Sequence, residues 1–395
     1  MRRWMGSKRH CGKSRVSLSI PILAIALLTI APAIAAPDER EDFRQSYEIN
    51  PGGLIRVENT NGYIRIFGWD RSNVQVDVVK RTDRSREELD RVRIVVDSTP
   101  NNIRIRTVHE RTTNIRVKVD YDIKIPRSVN VELARSTNGD VAISDVNGNA
   151  SGRSTNGSVT VTKIAGSIEA VTTSGRVSVS DIKGDASLQS ANGDVEAIRT
   201  ERRLDARLTN GSLKIVEPKG DVSASSTNGS ILIEAPSGRV VAVSINGDVK
   251  VFGGAGRVEV RSISSDVVVE GARGSVRAST VSGTIRLNNI DGADVDVNTV
   301  SGDVIFRGSL QRNGSYIFGS HSGDVTLTLP ANSSFTISLS TFSGDIDTAF
   351  PLTITPGPQG NMGRRLGRRI EATHGDGGAR IEVKSFSGTI TLRKY

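Results

Sequence analysis

Cysteine is nearly absent from this sequence: Cys11 is the only one in 395 residues. An intrachain disulfide is therefore excluded, and so is a cysteine metal cluster. Aromatic residues make up 4% of the chain against 36% hydrophobic content, which predicts a thin, aliphatic core. Proline is scarce as well, with twelve residues against forty glycines, a balance that favours turns over helices. The three histidines beyond the amino-terminal segment, His109, His321 and His374, stand apart, without a ligand spacing such as His-x-x-x-His. Each reads as an ordinary surface or loop residue. A Gly-x-Ser-x-Gly elbow with a partner histidine is missing, and so is a Walker-type phosphate loop.

Acidic residues are missing from the first fifteen positions, which carry Arg2, Arg3, Lys8, Arg9, Lys13 and Arg15. The apolar run Val16 to Ala31 follows, and then the small residues of Ala33-Ile34-Ala35. This order predicts a secretory signal over 1–35, cleaved after Ala35. A retained anchor is the alternative, although the run is short for the roughly 20 residues a span needs. Cys11 precedes the run and is no lipidation site. The formal charge of +9 belongs largely to this segment; without its six cations, 46 Lys+Arg face 43 Asp+Glu, a net of +3. The basic pI of about 9.8 therefore does not argue for nucleic acid as a partner.

What the sequence does have is a repeat. From Asn138 to Ile290 it divides into seventeen consecutive blocks of nine, beginning NGDVAISDV, NGNASGRST, NGSVTVTKI. The second column is Gly in fifteen blocks, Arg202 and Ser265 being the exceptions, and the fourth is aliphatic in all seventeen. The sixth column is small or aliphatic, the ninth mostly aliphatic, Thr or Pro, and columns five and seven are mostly polar. That alternation is a short, half-buried strand of period two. The glycines, among them Gly139, Gly148, Gly157, Gly175, Gly193, Gly211, Gly229, Gly247, Gly283 and Gly302, are read as structural corners with positive φ or otherwise tight geometry. Asn leads at 138, 156, 192, 210, 228 and 246, multiples of eighteen apart. The predicted fold is therefore all-β: a single-stranded β-solenoid of about 18 residues per coil, each coil two 9-residue half-repeats. With strands about 4.8 Å apart, the eight and a half coils span roughly 41 Å.

Four sections are expected. After the signal, 36–130 is an irregular β section with one short helix. Ser85 and Glu88 suggest a capping box for a helix from Ser85 to Val92 that plugs the end of the solenoid. Residues 131–302 form the regular solenoid. Over 303–395 the coils widen, since the Ser-Gly steps at Gly283, Gly302, Gly323 and Gly344 lie 19, 21 and 21 residues apart. A long Gly/Arg-rich loop, roughly Pro351 to Gly378, leaves the coil there before RIEVKSFSGTITLRKY returns as the final rung.

The leading NTNGYIRIFG, the x-Asn/Ser-Gly-Asp/Ser-Val units, and the closing FSGDIDTAFPLTI and FSGTITL resemble the bacterial "putative-adhesin" family, a domain of unknown function made of β-strand repeats. The resemblance covers about residues 40–395. It implies an envelope or secreted β-solenoid and carries no reaction.

Several residue sets are candidate sites. Asp140, Asp194, Asp248, Asp303, Asp324 and Asp345 follow the corner glycines, and Asp266 follows Ser265. Calcium-binding rolls also repeat every nine residues, but they need paired glycines and an Asp in every turn. These acids are therefore read as solvated corners. The Asn column is either an amide ladder or the favoured first residue of an Asn-Gly corner, with sugar binding as a lesser use. Ser154, Thr172, Ser190, Ser226, Ser244, Ser262 and Thr280 form a hydroxyl stripe, broken at Leu208, too mixed for an ice-binding face. A polysaccharide-cleaving β-helix would need clustered carboxylates beside an aromatic-lined groove, yet residues 138–302 contain only Phe252 as an aromatic.

Arg364, Arg365, Arg368 and Arg369 remain as the possible anionic-ligand site. The resulting expectation is an exported, noncatalytic, adhesin-like structural or binding module of the bacterial cell envelope, in the periplasm, on the outer surface or secreted. Its expected partners are envelope polysaccharide, lipid headgroups or another envelope protein, with no cofactor, no metal and no disulfide partner. An envelope sensor using the Arg-rich loop is the alternative, and a polysaccharide-active enzyme comes third.

Overall fold

The computed structural model describes residues 39–110, 116–354 and 368–395, with Arg368 as backbone only. Residues 39–395 fall within one compact unit. The predicted signal, Cys11, Arg364 and Arg365 lie outside the described residues.

The strand Val159–Ile164 shows how the repeat becomes structure. Val159 and Val161 point inward and Thr160 outward, as period two requires. Lys163 then takes a left-handed backbone (φ 54°), which brings Ile164 inward as well. The strand pairs in parallel with Val141–Val146 and with Val177–Ile182, so that Val141, Val159 and Val177 line up eighteen residues apart. Repetition of this pairing builds a first sheet that runs in parallel from Ile64–Trp69 to Val325–Leu329. The intervening half-coils, such as Ala150–Asn156 and Ile168–Ser174, build a second parallel sheet in the same way.

The core between the sheets is matched in volume. Ile143, Val161 and Val179 line the first sheet, whereas Gly152, Ala170 and Ala206 occupy the inward positions of the second. A methyl group on Gly152 would press on Val159 and Ile143. Where the coils lengthen, the core changes composition: Phe306 packs on Phe318 and Tyr316 at ring separations of 5.1 and 6.2 Å. The core is thus aliphatic through the regular coils and aromatic where wider coils need filling.

The glycine corners need Gly mainly for closeness. At Gly157 a Cβ would overlap the carbonyl oxygen of Gly139 one coil away, and the same conflict recurs at Gly175 and Gly247. Of the ten predicted corners, only Gly193, Gly211, Gly283 and Gly302 have clearly positive φ. The left-handed positions belong instead to Asp145, Lys163, Asp181, Arg199, Glu217 and Ala235, with φ from 50° to 60°. These six stack on successive coils and alternate in charge down to Glu217. The Arg199 guanidinium donates two hydrogen bonds to Asp181, at 2.7 and 3.0 Å.

Both ends depart from chain order. The first coil, Leu54–Asn61 with Ile64–Trp69, has Asn102–His109 and Val117–Pro126 stacked outside it. Asn73–Thr82 and then Glu39–Glu48 continue the first sheet antiparallel, while Val92–Thr99 closes the second. The predicted helix forms over Arg86–Asp90 and buries Leu89 between these end strands. Its capping box does not form: the Ser85 hydroxyl makes no capping hydrogen bond, and the Glu88 carboxylate instead accepts hydrogen bonds from Arg84 and the Arg116 N–H. At the other end the sequence RIEVKSFSGTITLRKY is not the final rung. Ala379–Ser387 lies between Ser315–Ser322 and Phe335–Thr341, and the antiparallel strand Arg368–His374 covers the latter.

Candidate functional site

The rows of side chains along the axis differ in whether they hold the coils together or face solvent. The hydroxyl stripe lies inside. Ser154, Thr172 and Ser190 are buried and donate to the carbonyl oxygens of Gly139, Gly157 and Gly175 at 2.9, 2.8 and 3.1 Å. These bonds satisfy corner carbonyls that the tight stacking removes from water. The Asn column is an amide ladder on the exposed edge. Asn138 Nδ2 donates to Asn61 Oδ1 and Asn156 to Asn138, each at 2.8 Å. After Ser174 interrupts it, the ladder resumes through Asn192, Asn210, Asn228 and Asn246.

The corner acids also link coils. Asp140, Asp194, Asp266 and Asp303 each accept a hydrogen bond from a backbone N–H one coil further on, at 2.7 to 3.0 Å. Hydrogen bonds from the Ser212 hydroxyl and then its N–H hold the Asp194 carboxyl below its usual range. Among the described residues no three His, Cys, Asp or Glu side chains gather as a metal site. The histidines stay apart: His109 lies near the amino-terminal end, His374 bonds the Pro351 carbonyl, and His321 stacks on Phe386.

One row faces outward and is apolar over its carboxy-terminal part. The ninth column is two different positions. On the first sheet it is buried (Val146, Ile164, Ile182), and on the second it is exposed. The exposed row runs Thr60, Thr137, Thr155, Thr173, Ala191, Thr209, Thr227, and then Ile245, Ile263, Val281, Val300, His321, Phe386 and Phe342. Its character changes at Ile245 from hydroxyl to aliphatic and then to aromatic. Ile263 is 47% exposed and Val300 51%, and the rings of Phe386 and Phe342, exposed by 47% and 45%, stack 4.7 Å apart within 3° of parallel.

A groove of about 710 Å³ opens along the aromatic end of this row. Its floor opens at Gly319, which has no side chain where Asn298 and Lys384 stand on adjacent coils. His321, Phe386 and Phe342 form one wall, and Arg369 reaches the groove from the end strand. The nearby cations are already paired: Arg369 with Glu371 at 2.7 Å, Lys384 with Glu382 at 2.5 Å, and Arg277 with Asp296 at 3.1 Å. The Lys384 ammonium lowers the pKa of Glu382. A smaller groove of about 460 Å³ lies along the same row past Thr173, Ala191, Thr209 and Thr227. Of the four arginines proposed from sequence, Arg369 is the one whose side chain is described, and it reaches a groove. Ile245, Ile263 and Val281 were missed because nine-residue blocks merge these exposed positions with buried ones, and the aromatic end of the row lies beyond the blocks altogether. Blocks of eighteen separate the exposed positions from the buried.

The family model described as Toastrack DUF4097 matches residues 54–255 and again 221–393. No curated protein matches the chain. Among solved structures, "a putative cell adhesion protein" from Clostridium sporogenes aligns over 90% of this chain and 100% of its own, at 8% identity and a TM-score of 0.19. "A putative adhesin" from Bacteroides fragilis aligns over 66% of this chain and 97% of its own, at 12% identity and a TM-score of 0.24. A "putative lipid binding protein" from Parabacteroides distasonis aligns over 66% and 96%, at 13% identity and a TM-score of 0.23. These superpositions are loose.

Proposed function

The chain belongs to the Toastrack DUF4097 family, and from that premise we propose that it is an exported, noncatalytic, adhesin-like module of the bacterial envelope that binds envelope polysaccharide along its second sheet. The observation that carries this reading is the concentration of exposed large hydrophobic side chains in one row, Ile245 to Phe342, beside a groove. Contiguous apolar surface of this kind on a soluble fold marks a binding surface. Coils about 4.8 Å apart present the same chemistry at regular intervals, which suits a linear polymer better than a compact ligand. The apolar wall would receive the C–H faces of sugar rings, while Asn298 and Ser340 offer hydrogen bonds. Because the nearby cations are paired within the face, an uncharged or weakly acidic glycan fits it better than a strongly anionic one.

The predicted signal over 1–35 supports export, and the basic run around Arg364 to Arg369 would contribute through Arg369 at the rim. The test is a glycan and lipid array probed with the purified chain. The double variant Phe342→Ser, Phe386→Ser is expected to lose glycan binding at least about tenfold, the scale of removing one or two anchoring side chains. Full binding by that variant, together with loss in a variant with all four arginines changed to Ala, would move the site to the loop.

A further inference from the structure

Nine Asn-Gly steps occur in the sequence, at Asn61, Asn138, Asn147, Asn156, Asn192, Asn210, Asn228, Asn246 and Asn313. An Asn followed by Gly is chemically labile in water. The Gly nitrogen attacks Cγ of the Asn, a C–N bond forms, and the bond from Cγ to the amide NH2 breaks with loss of ammonia. Water then opens the resulting succinimide at either carbonyl, giving aspartate or isoaspartate. The attack needs a free Gly N–H and a side chain able to swing toward it.

In most of these steps the fold withholds the Gly N–H. Those of Gly62, Gly139, Gly157, Gly193, Gly211 and Gly229 donate to carbonyl oxygens one coil further on, at 2.9 to 3.3 Å, and that of Gly314 donates to Gln311. The side chains of Asn61, Asn138, Asn156, Asn192, Asn210 and Asn228 are also held in the amide ladder. Two steps differ. Gly148 and Gly247 N–H have no acceptor among the described residues. Asn147 is exposed and its side chain makes no hydrogen bond there, while Asn246 is the last member of the ladder, held on one side only.

Each has a structural cause. The corner at Gly148 leaves its amide free, as do the equivalent corners at Gly166 and Gly184, but Ala165 and Lys183 precede those glycines, so among these three the corner is labile only after Asn147. At Gly247 the next coil carries Ser264-Ser265 in place of Asn-Gly, and the Ser264 carbonyl is taken by the Ser265 hydroxyl.

We propose that Asn147 and Asn246 are sites of spontaneous deamidation and isoaspartate formation, that the stacked coils protect six of the other steps, and that a local turn bond from the Gly314 N–H protects the one at Asn313. Conversion at Asn246 would place a carboxylate between Ile245 and Asp248, where the outward row changes from hydroxyl to aliphatic. The proposal is independent of any bound glycan.

The test ages the purified intact chain in mildly alkaline buffer and follows amide-to-acid conversion by peptide mass mapping with isoaspartate detection. The tryptic peptide STNGDVAISDVNGNASGR, residues 136–153, carries the protected Asn138 and the free Asn147 together. Asn147 and Asn246 are expected to convert at least about tenfold faster than Asn138, Asn156 and Asn228, because the protected steps react only from locally opened coils. In urea-unfolded protein the difference should collapse. Equal rates at Asn138 and Asn147 in the folded protein, or a difference that persists after unfolding, would overturn the proposal.

Discussion

A residue with a Cβ held near φ +50° loses on the order of 1 to 2 kcal/mol relative to glycine, yet six successive coils accept that loss. Ala235 gains nothing in return: it carries no charge for the alternating row, and the next two coils place Gly253 and Gly271 at the same position with φ +86° and +70°. Ala235→Gly is therefore expected to raise stability by about 1 kcal/mol, read as a higher denaturant midpoint at unchanged slope. The reverse holds where glycine is chosen for closeness. Gly157→Ala drives a methyl into the Gly139 carbonyl and should cost about 1 to 3 kcal/mol in the same titration.

Charge enters at this scale through Asp194. Its carboxyl titrates below its usual range in the folded protein because Ser212 bonds the charged form. The resulting stability is present above the unfolded carboxylate pKa, near 3.9, and is lost as pH falls through the lower folded value. Asn149 already makes the same corner bond with an amide, to the Ser167 N–H at 2.8 Å. Asp194→Asn should thus keep the fold, melt below the parent protein at pH 7, and approach it as the pH falls below the unfolded carboxylate pKa and through the lower folded value. A constant difference between the two melting curves across that range would contradict this account.

At the scale of the strand, burial is set by alternation. Val222 is 2% exposed and Ser223, its neighbour, is partly open. Val222→Asp buries a carboxylate without a partner and should remove more than about 4 kcal/mol, whereas Ser223→Asp should stay within about 0.5 kcal/mol. Equal thermal melts would mean that the strand register is wrong. The register was legible in the sequence because the second and fourth columns of the nine-residue block obey constraints common to both half-coils: close packing at the corner and an inward aliphatic side chain. The eighth and ninth columns do not share a role. In one half-coil Lys163 turns left-handed and sends Ile164 into the core, and in the other Ser154 points inward and Thr155 outward. A nine-residue average therefore merged the alternating charges and the apolar row, whereas the hydroxyl stripe, but not its inward role, was legible on alternate blocks. The Asn ladder was one of two readings the sequence left open, and only the side-chain geometry decided between them.

At the scale of the whole compact unit the question is how a stack of parallel coils ends. An unpaired parallel coil offers a row of free N–H and C=O groups to another molecule. At both ends the coil nearest the terminus in sequence is tucked inward under further parallel strands, and strands antiparallel to their neighbours lie beyond these. The strand Glu39–Glu48, with Glu39, Arg40, Glu41, Asp42 and Arg44, makes one edge heavily charged. No local pattern announces this exchange of coil order, since it depends on pairings between residues as distant as Phe318 and Val383. It has a consequence for assembly. Truncation after Leu329 removes Ala379–Ser387, Ile390–Lys394 and the covering strand Arg368–His374 together, and bares both sheets at the coil 315–329. The truncated protein is expected to retain its β circular dichroism, because coils below the cut keep their neighbours, and to form larger species that grow with concentration in size-exclusion light scattering. A shortened protein that stays monomeric across that series would show that the carboxy-terminal rearrangement serves the groove rather than the edge.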